Sequence, residues 1–345
     1  PGPADVIHAD DTPDAASTEI DRSTTSPTGA ELLLWCALAA VPSTMLLATT
    51  NQVCTDIAVV PFLWVLPLSL YLLSFILCFD SDRWYSRKIF LPALLLCVVA
   101  TCLLLWDAAL LLNTVTAITP QAMIYFGLLF CCCMVCHGEL VQLKPHPKYL
   151  TTFYLSMSIG GAMGGLFVGL IAPLVFQTLA ELPVAIVATV ALVLVVLYRD
   201  EASPLRGPRR RPVWLLASAG MILLTGAFYM QSRVLTAKAV AMSRNFYGVL
   251  RVEGFQDAYV MKHGQIRHGH QFRDATRRRH PTTYYGYDSG VGLVLRQHRA
   301  DTPRRVGVIG LGAGTLAVYA QPGDAWRLYE INPEVERIAN EHFFY

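Results

Sequence analysis

Between residues 31 and 230 the chain is nearly free of charge, and its apolar residues gather into runs near 31–49, 57–79, 89–112, 119–137, 152–177, 182–198 and 213–230. Each run is about 17–25 residues long, enough for a helix to cross the hydrocarbon of a bilayer. Hydrocarbon offers no hydrogen bonds, so a spanning segment must satisfy its own backbone as a helix or join a closed barrel. Barrel strands are shorter and alternate in polarity, which these runs do not. The composition agrees: 54% of the 345 residues are hydrophobic and 15% charged, against roughly a quarter charged in a soluble domain. The sequence predicts a polytopic α-helical membrane domain over residues 30–231, with about seven helices, in contact with a lipid bilayer.

The loops carry orientation information. Arg83, Arg87 and Lys88 follow the second run, Lys144 and Lys148 the fourth, and Arg199, Arg206, Arg209, Arg210 and Arg211 the sixth. The alternate loops have no Lys or Arg. The positive-inside rule assigns the basic loops to the cytoplasm. Seven spans would then put the C-terminal part outside, whereas Arg233, Lys238 and Arg244 after the last run favour the cytoplasm. The expectation adopted is a multi-pass protein with a cytoplasmic C-terminal domain. Residues 1–29, rich in Asp, Thr, Ser, Pro and Ala, read as a disordered tail or linker. None of the nine cysteines falls in the polar C-terminal third, which argues against a disulfide framework. The first residue is Pro and the last residues break off within a fold unit, so the chain reads as part of a longer protein.

From Asn245 the pattern changes. Phe246–Val252 and Ala258–Lys262 read as strands, with a turn at His263-Gly264. Gln265–Arg279 reads as a polar loop, and Gly290–Leu295 as an apolar helix. Then Val308-Ile309-Gly310-Leu311-Gly312-Ala313-Gly314-Thr315 reads as a strand, a glycine turn and the start of a helix. A second strand ends at Tyr329-Glu330. Glycines let a backbone approach a ligand, a helix start offers N–H groups, and an acid after the second strand can take both hydroxyls of a ribose. The fold class expected is a polytopic α-helical membrane domain, a small β-rich segment and the start of a Rossmann-like, nucleotide-binding α/β domain.

These motifs together resemble the spermidine synthase (aminopropyltransferase) family. They are most similar to its membrane-fused bacterial branch, often labelled fused MFS/spermidine synthase. The resemblance rests on Val41-Pro42-Ser43, Thr55-Asp56-Ile57-Ala58, Pro61-Phe62-Leu63-Trp64-Val65-Leu66-Pro67-Leu68 and Cys136-His137-Gly138-Glu139-Leu140. It rests also on the Gly160–Gly165 cluster, Asn245-Phe246-Tyr247-Gly248 and the Gly310–Glu330 unit. It covers roughly residues 31–345. It implies a bacterial inner-membrane protein whose residues 245–345 form the first part of a spermidine synthase-like domain. The implied reaction of polyamine biosynthesis transfers an aminopropyl group from decarboxylated S-adenosylmethionine to a small-molecule amine. Gly310, Gly312, Gly314 and Glu330 match the family's cofactor-binding positions, and Tyr284 and Tyr285 fall where it binds the amine. The resemblance places the catalytic Asp after a later strand, beyond Tyr345. Departures are Ala313 and Asn332, where soluble members carry Asp, and Tyr284-Tyr285-Gly286, where they carry Tyr-His-Glu.

Two other readings stand beside this transferase: a membrane transporter or scaffold whose soluble domain senses an S-adenosyl ligand without catalysis, and a membrane-bound S-adenosylmethionine methyltransferase. The glycine turn suits all three, and the β-rich segment before it disfavours the methyltransferase. Arg267, Arg273 and Arg277–Arg279, with His268, His270 and His280, make the surroundings of Tyr284 basic, which does not suit a cationic polyamine. Cys133-Met-Val-Cys136-His137 has the spacing of a haem attachment motif, but inside an apolar run it reads as helix packing, and no metal site is assigned. Asp56, Asp107, His137 and Glu139 are ionisable groups in or at the ends of spans, hence functional candidates by position. The Gly160–Gly169 stripe reads as close helix packing. No basic face interleaved with aromatics points to nucleic acid, and a homo-oligomer is compatible with the sequence.

Overall fold

The computed structural model describes residues 26–57, 61–110, 117–200, 203, 210–264, 266–297 and 303–345. Most of the expected tail and the basic residues Arg206 and Arg209 lie outside the described residues. Among those described, seven helices are long and apolar enough to cross a membrane. They are α1 (Gly29–Asp56), α2 (Phe62–Asp80), α3 (Arg87–Leu110), α4 (Ile118–Gln142), α5 (Leu150–Leu166), α6 (Glu181–Arg199) and α7 (Arg210–Ala237). The fifth span continues past α5 through a π-helical stretch, Phe167–Ile171, and a last turn, Ala172–Val175. The build is that of a multi-pass membrane protein.

The helices start and stop for local reasons. Thr28 caps α1 with a capping box: its hydroxyl accepts the Glu31 N–H at 3.3 Å, and the Glu31 carboxylate accepts the Thr28 N–H at 2.7 Å. Pairing two otherwise orphaned donors is worth about 1 kcal/mol. The helix then runs about two turns past the expected end, to Asp56, because the polar residues from Thr50 on carry on its backbone ladder. α7 is longer than its apolar run for the same reason; its polar last turns, Gln231 to Thr236, stay helical.

α1 and α4 form the centre. Leu38, Met45, Leu128, Leu129, Leu182 and Ile186 are fully enclosed, and Trp35 meets Phe153 edge-on at 5.1 Å between centroids. In a bilayer the alternative to such burial is lipid, so close fit and hydrogen bonds decide helix association. Gly160 and Gly164 supply the fit. A Cβ at Gly160 would lie 2.2 Å from the Cys36 carbonyl oxygen, and one at Gly164 2.3 Å from that of Ala40. The small-residue stripe is the α1–α5 seam, further tied by the Ser43 hydroxyl donating to the Gly161 carbonyl at 2.8 Å. α7 stands apart, with only 6% of its apolar window buried.

The bundle has two chemically different ends. At the end holding the second, fourth and sixth loops, Arg87 makes two 2.6 Å bonds to the Glu139 carboxylate and pairs with Asp200, while the Tyr85 hydroxyl donates to Glu139 at 2.6 Å. This joins α3, α4 and the end of α6. At the opposite end, Arg244 donates to Glu181 at 2.7 Å and to the Thr178 carbonyl. Asn51 reaches the same carboxylate at 3.4 Å. Thus Arg244 spends its charge in a buried pair rather than at a free loop.

The polar part begins on that second end. α7 stops at Ala237 and β1 (Ala239–Asn245) starts with only Lys238 between, inside the 232–244 stretch left between the two expected domains. β1, β2 (Gly248–Gly254), β3 (Ala258–His263) and β4 (Ile266–Phe272) form an antiparallel meander in chain order. Leu250, Val252 and Met261 alternate onto one face and pack against Ala313, Val335, Ile338 and Phe343. Two of these strands differ from expectation. Phe246 and Tyr247 form the β1–β2 turn instead of opening a strand, and Phe246 is 93% exposed. The expected polar loop from Gln265 contains β4, which pairs with β3 from Ala258↔Phe272 to His263↔Ile266. A helix α8 (Gly290–Gln297) follows, then β5 (Arg305–Ile309), β6 (Ala325–Tyr329) and α9 (Pro333–His342). β5 and β6 run parallel, with Arg305 opposite Ala325 and Ile309 opposite Tyr329.

Candidate functional site

The glycine turn sits where the two parallel strands end. Gly310, Gly312 and Gly314 all have φ in the left-handed region, at 89°, 56° and 80°, which side chains with a Cβ strongly resist. The Gly310 N–H donates to the Tyr329 carbonyl at 2.7 Å, closing the ladder of β5 and β6. One side of the turn is docked on β4: a Cβ at Gly312 would lie 3.0 Å from the His268 carbonyl, and one at Gly269 would overlap Ala313 at 2.1 Å. The other side is open, with nothing within 4 Å of a Cβ built at Gly310.

One expectation is corrected here. The turn does not open an α-helix. Thr315–Tyr319 is a single 3₁₀ segment with Gly314 at its start. Ala320-Gln321-Pro322-Gly323 follows at once and cannot prolong a helix, since Pro lacks the N–H and Gly323 has φ 91°. So short a segment carries little helix dipole.

Glu330 is placed by its backbone surroundings. Its carboxylate accepts the Leu311 N–H, inside the glycine turn, at 2.9 Å and the Asn332 N–H at 2.9 Å. Those two bonds use two of the roughly four acceptor positions of a carboxylate. Asn332, 3% exposed, caps α9: its Oδ1 accepts the Glu334 N–H at 3.1 Å and the Asn245 side-chain amide at 2.7 Å.

The structure therefore brings Gly310, Gly312, Gly314 and Glu330 together at one edge. Tyr284 and Tyr285 lie in a separate 3₁₀ turn, Thr283–Tyr285, with ring centroids 4.5 Å apart. They are joined to the far end of the glycine segment rather than to Glu330, through the Tyr319 hydroxyl donating to the Tyr285 carbonyl at 2.6 Å. Burial and the neighbouring Tyr284 push the Tyr285 phenol up to about 12. Tyr284 is 54% exposed. Arg304 braces this frame. Its guanidinium bonds Asp324 at 2.6 Å, the Leu295 carbonyl at 2.7 Å and the Tyr319 carbonyl at 2.8 Å, tying α8, the 3₁₀ segment and the starts of β5 and β6.

Two histidines lie beside the glycine turn, where the sequence had placed His268 only near Tyr284. His268 lies on β4 with its carbonyl against Gly312, and its ring centroid is 5.8 Å from that of His263. His263 bonds the Tyr247 carbonyl at 2.7 Å. Burial first, then His263, pushes the His268 imidazole below its ordinary value, with Glu330 acting the other way. The signal was the alternation Arg267-His268-Gly269-His270, legible only once β4 is paired with β3.

Elsewhere, Cys133, Cys136 and His137 are buried inside α4, and His137 Nδ1 lies 3.1 Å from the Ser74 hydroxyl of α2. Among the described residues, no three His, Cys, Asp or Glu side chains converge as a metal site, and all nine thiols are free. Comparison with family models, with curated proteins and with solved structures gives no match.

Proposed function

We propose that this protein is a membrane-anchored, spermidine synthase-like transferase whose soluble part binds decarboxylated S-adenosylmethionine at Gly310–Gly314. The observation that carries the reading is the position of Glu330, hydrogen-bonded to the Leu311 N–H at the C-terminal ends of two adjacent parallel strands. That is where open α/β units receive the ribose of a nucleoside ligand. The open side of Gly310 leaves room for the adenosyl group to approach backbone. The short 3₁₀ segment fits this ligand class too. An S-adenosyl group has no phosphate and does not call on a helix N-terminus, whereas a dinucleotide would. The meander β1–β4 preceding the turn supports the aminopropyltransferase reading over a methyltransferase.

This chain's part in the reaction is to hold the donor. Glu330 takes the ribose hydroxyls, the glycines admit the backbone contact, and Tyr284 and Tyr285 line the amine side. Transfer requires an amine nitrogen in line with the carbon beside the sulfonium and a base to take its proton. The test is calorimetry on the purified chain in detergent with decarboxylated S-adenosylmethionine, methylthioadenosine and NAD. Binding of the first two with no binding of NAD supports the reading. Binding of none of them overturns it.

Ala313 favours a second reading, a domain that binds the ligand as a signal. It is 2% exposed and seated against Gly269, and it lacks the carboxylate that soluble aminopropyltransferases carry there. Ligand binding without release of methylthioadenosine by the protein in its native membrane selects that reading.

A further inference from the structure

One cavity bears on neither reading. It holds about 620 Å³ and lies where the bundle meets the sheet. Its walls are mainly α6, α7 and the connection before α6, and they are mainly apolar, with Phe176, Leu179, Val187, Phe228 and Leu235 among them. α7, one of these walls, is the least buried of the spans, so the cavity is bounded by a helix that faces lipid along most of its length. Apolar groups reach it without crossing water.

The sheet end of the cavity is charged, and unevenly so. Arg251 of β2 lines it. Arg251 and Lys262 share a single carboxylate, Glu253, at 2.7 and 2.8 Å. All three side chains are nearly enclosed, at 12%, 10% and 4% exposure. Two cations share this one anion in a poorly solvated place, and Arg251 is the cation on the cavity wall. The Nε–H of Arg251 is buried without a hydrogen-bond partner. Both Glu253 oxygens are also buried without a hydrogen bond; unpaired buried polar groups are costly, so the cluster has unfilled capacity for a further polar group. Asp56 also lines the cavity, but its Oδ2 accepts from Gln52 and from the Tyr125 hydroxyl of α4, both at 2.7 Å.

We propose that this cavity binds an anionic amphiphile from the membrane, its hydrocarbon tail between α6 and α7 and its acidic head on Arg251. The shape is that of a binding site: a mostly apolar cavity with a few polar groups that fix orientation. The pairing of a guanidinium with a carboxylate or phosphate head is the strong, geometrically selective kind.

The test uses the purified chain in nanodiscs of uncharged lipid, with a diazirine-tailed palmitate and the matching diazirine-tailed alkylamine as photoprobes. The palmitate is expected to label peptides around Val187 and Phe228, with labelling competed by plain palmitate. Arg251→Gln should weaken that competition at least tenfold. Val187→Trp, which fills the cavity and leaves the charges alone, should abolish cavity labelling with an unchanged melting temperature; it keeps the test decisive if Arg251→Gln does not fold. Competition by a dialkyl phosphate as well as palmitate identifies a phospholipid source, and by palmitate alone a fatty acid source. Labelling spread evenly along exposed α7 positions such as Leu216 and Leu223, or stronger cavity labelling by the alkylamine, overturns the proposal.

Discussion

Glu330 is held by two backbone N–H groups before any ligand arrives, so its contribution to binding is preorganised. Replacing it with Gln keeps the shape and removes the charge that strengthens bonds to ribose hydroxyls. Charged hydrogen bonds contribute about 1.5–3 kcal/mol, so Glu330→Gln should weaken binding of decarboxylated S-adenosylmethionine about 10- to 100-fold, read by calorimetry, with the fold intact by circular dichroism. His268 makes a pH prediction. Its imidazole is held below the ordinary histidine value in the folded state, so the unfolded chain takes the proton first as pH falls. Stability is full above about pH 6.5 and declines below it. Thermal unfolding followed from pH 8 to 5 should show the midpoint falling in that window, with a shallower fall in His268→Gln. The role of the glycines was legible in the sequence because positive φ has few residues that tolerate it. The role of His268 was not, because it depends on the register of two strands.

At the scale of elements, the α1–α5 seam depends on the missing side chains of Gly160 and Gly164. Gly160→Val would drive a branched side chain into the Cys36 carbonyl, an overpacking that costs about 1–3 kcal/mol or more. The variant should melt lower in detergent than Gly161→Ala, whose added Cβ meets nothing within 4 Å. The Arg87–Glu139 pair is the other element-scale staple. Glu139→Ala leaves the Tyr85 hydroxyl without its acceptor and leaves Arg87 only Asp200 and Gln142, a loss below the roughly 3–5 kcal/mol of a buried charge left wholly unpaired. A loss of stability is expected, with a smaller one for Glu139→Gln, measured as the same melting temperature. The seven helices were readable because length and apolarity are local properties. The first and last strands of the meander were not. Ala239–Asn245 and Ile266–Phe272 lack a clean alternation of apolar residues and become strands through their neighbours. The helix after the glycine turn was overread, since Pro322 and Gly323 cut it short.

For the whole molecule, the basic loops and the soluble sheet lie at opposite ends of the bundle. Arg83, Arg87, Lys144 and Lys148 belong to one end, while β2 and β3 reach the other, where Gly264 lies against Thr55. The positive-inside rule applied to this arrangement sends the sheet out of the cytoplasm, whereas a cytoplasmic S-adenosyl pool calls for it inside. A phosphatase–fluorescent protein reporter fused after Arg244 decides between them. Fluorescence alone is the outcome expected of the proposed transferase; phosphatase activity alone would mean that its donor cannot be the cytoplasmic metabolite. The sequence held both halves of this tension, the loop charges and the glycine turn, but not the fact that Arg244 is consumed by Glu181.

Only Lys238 separates the last helix from the first strand. A hinge is a few residues that absorb a change of φ and ψ, and this junction offers one. The sheet therefore inherits its attitude from α7: any tilt or rotation of that helix in the bilayer swings the glycine turn through the same angle. Membrane thickness and lateral tension, which set helix tilt, thus become variables that the soluble part can feel, without a messenger and without a moving loop.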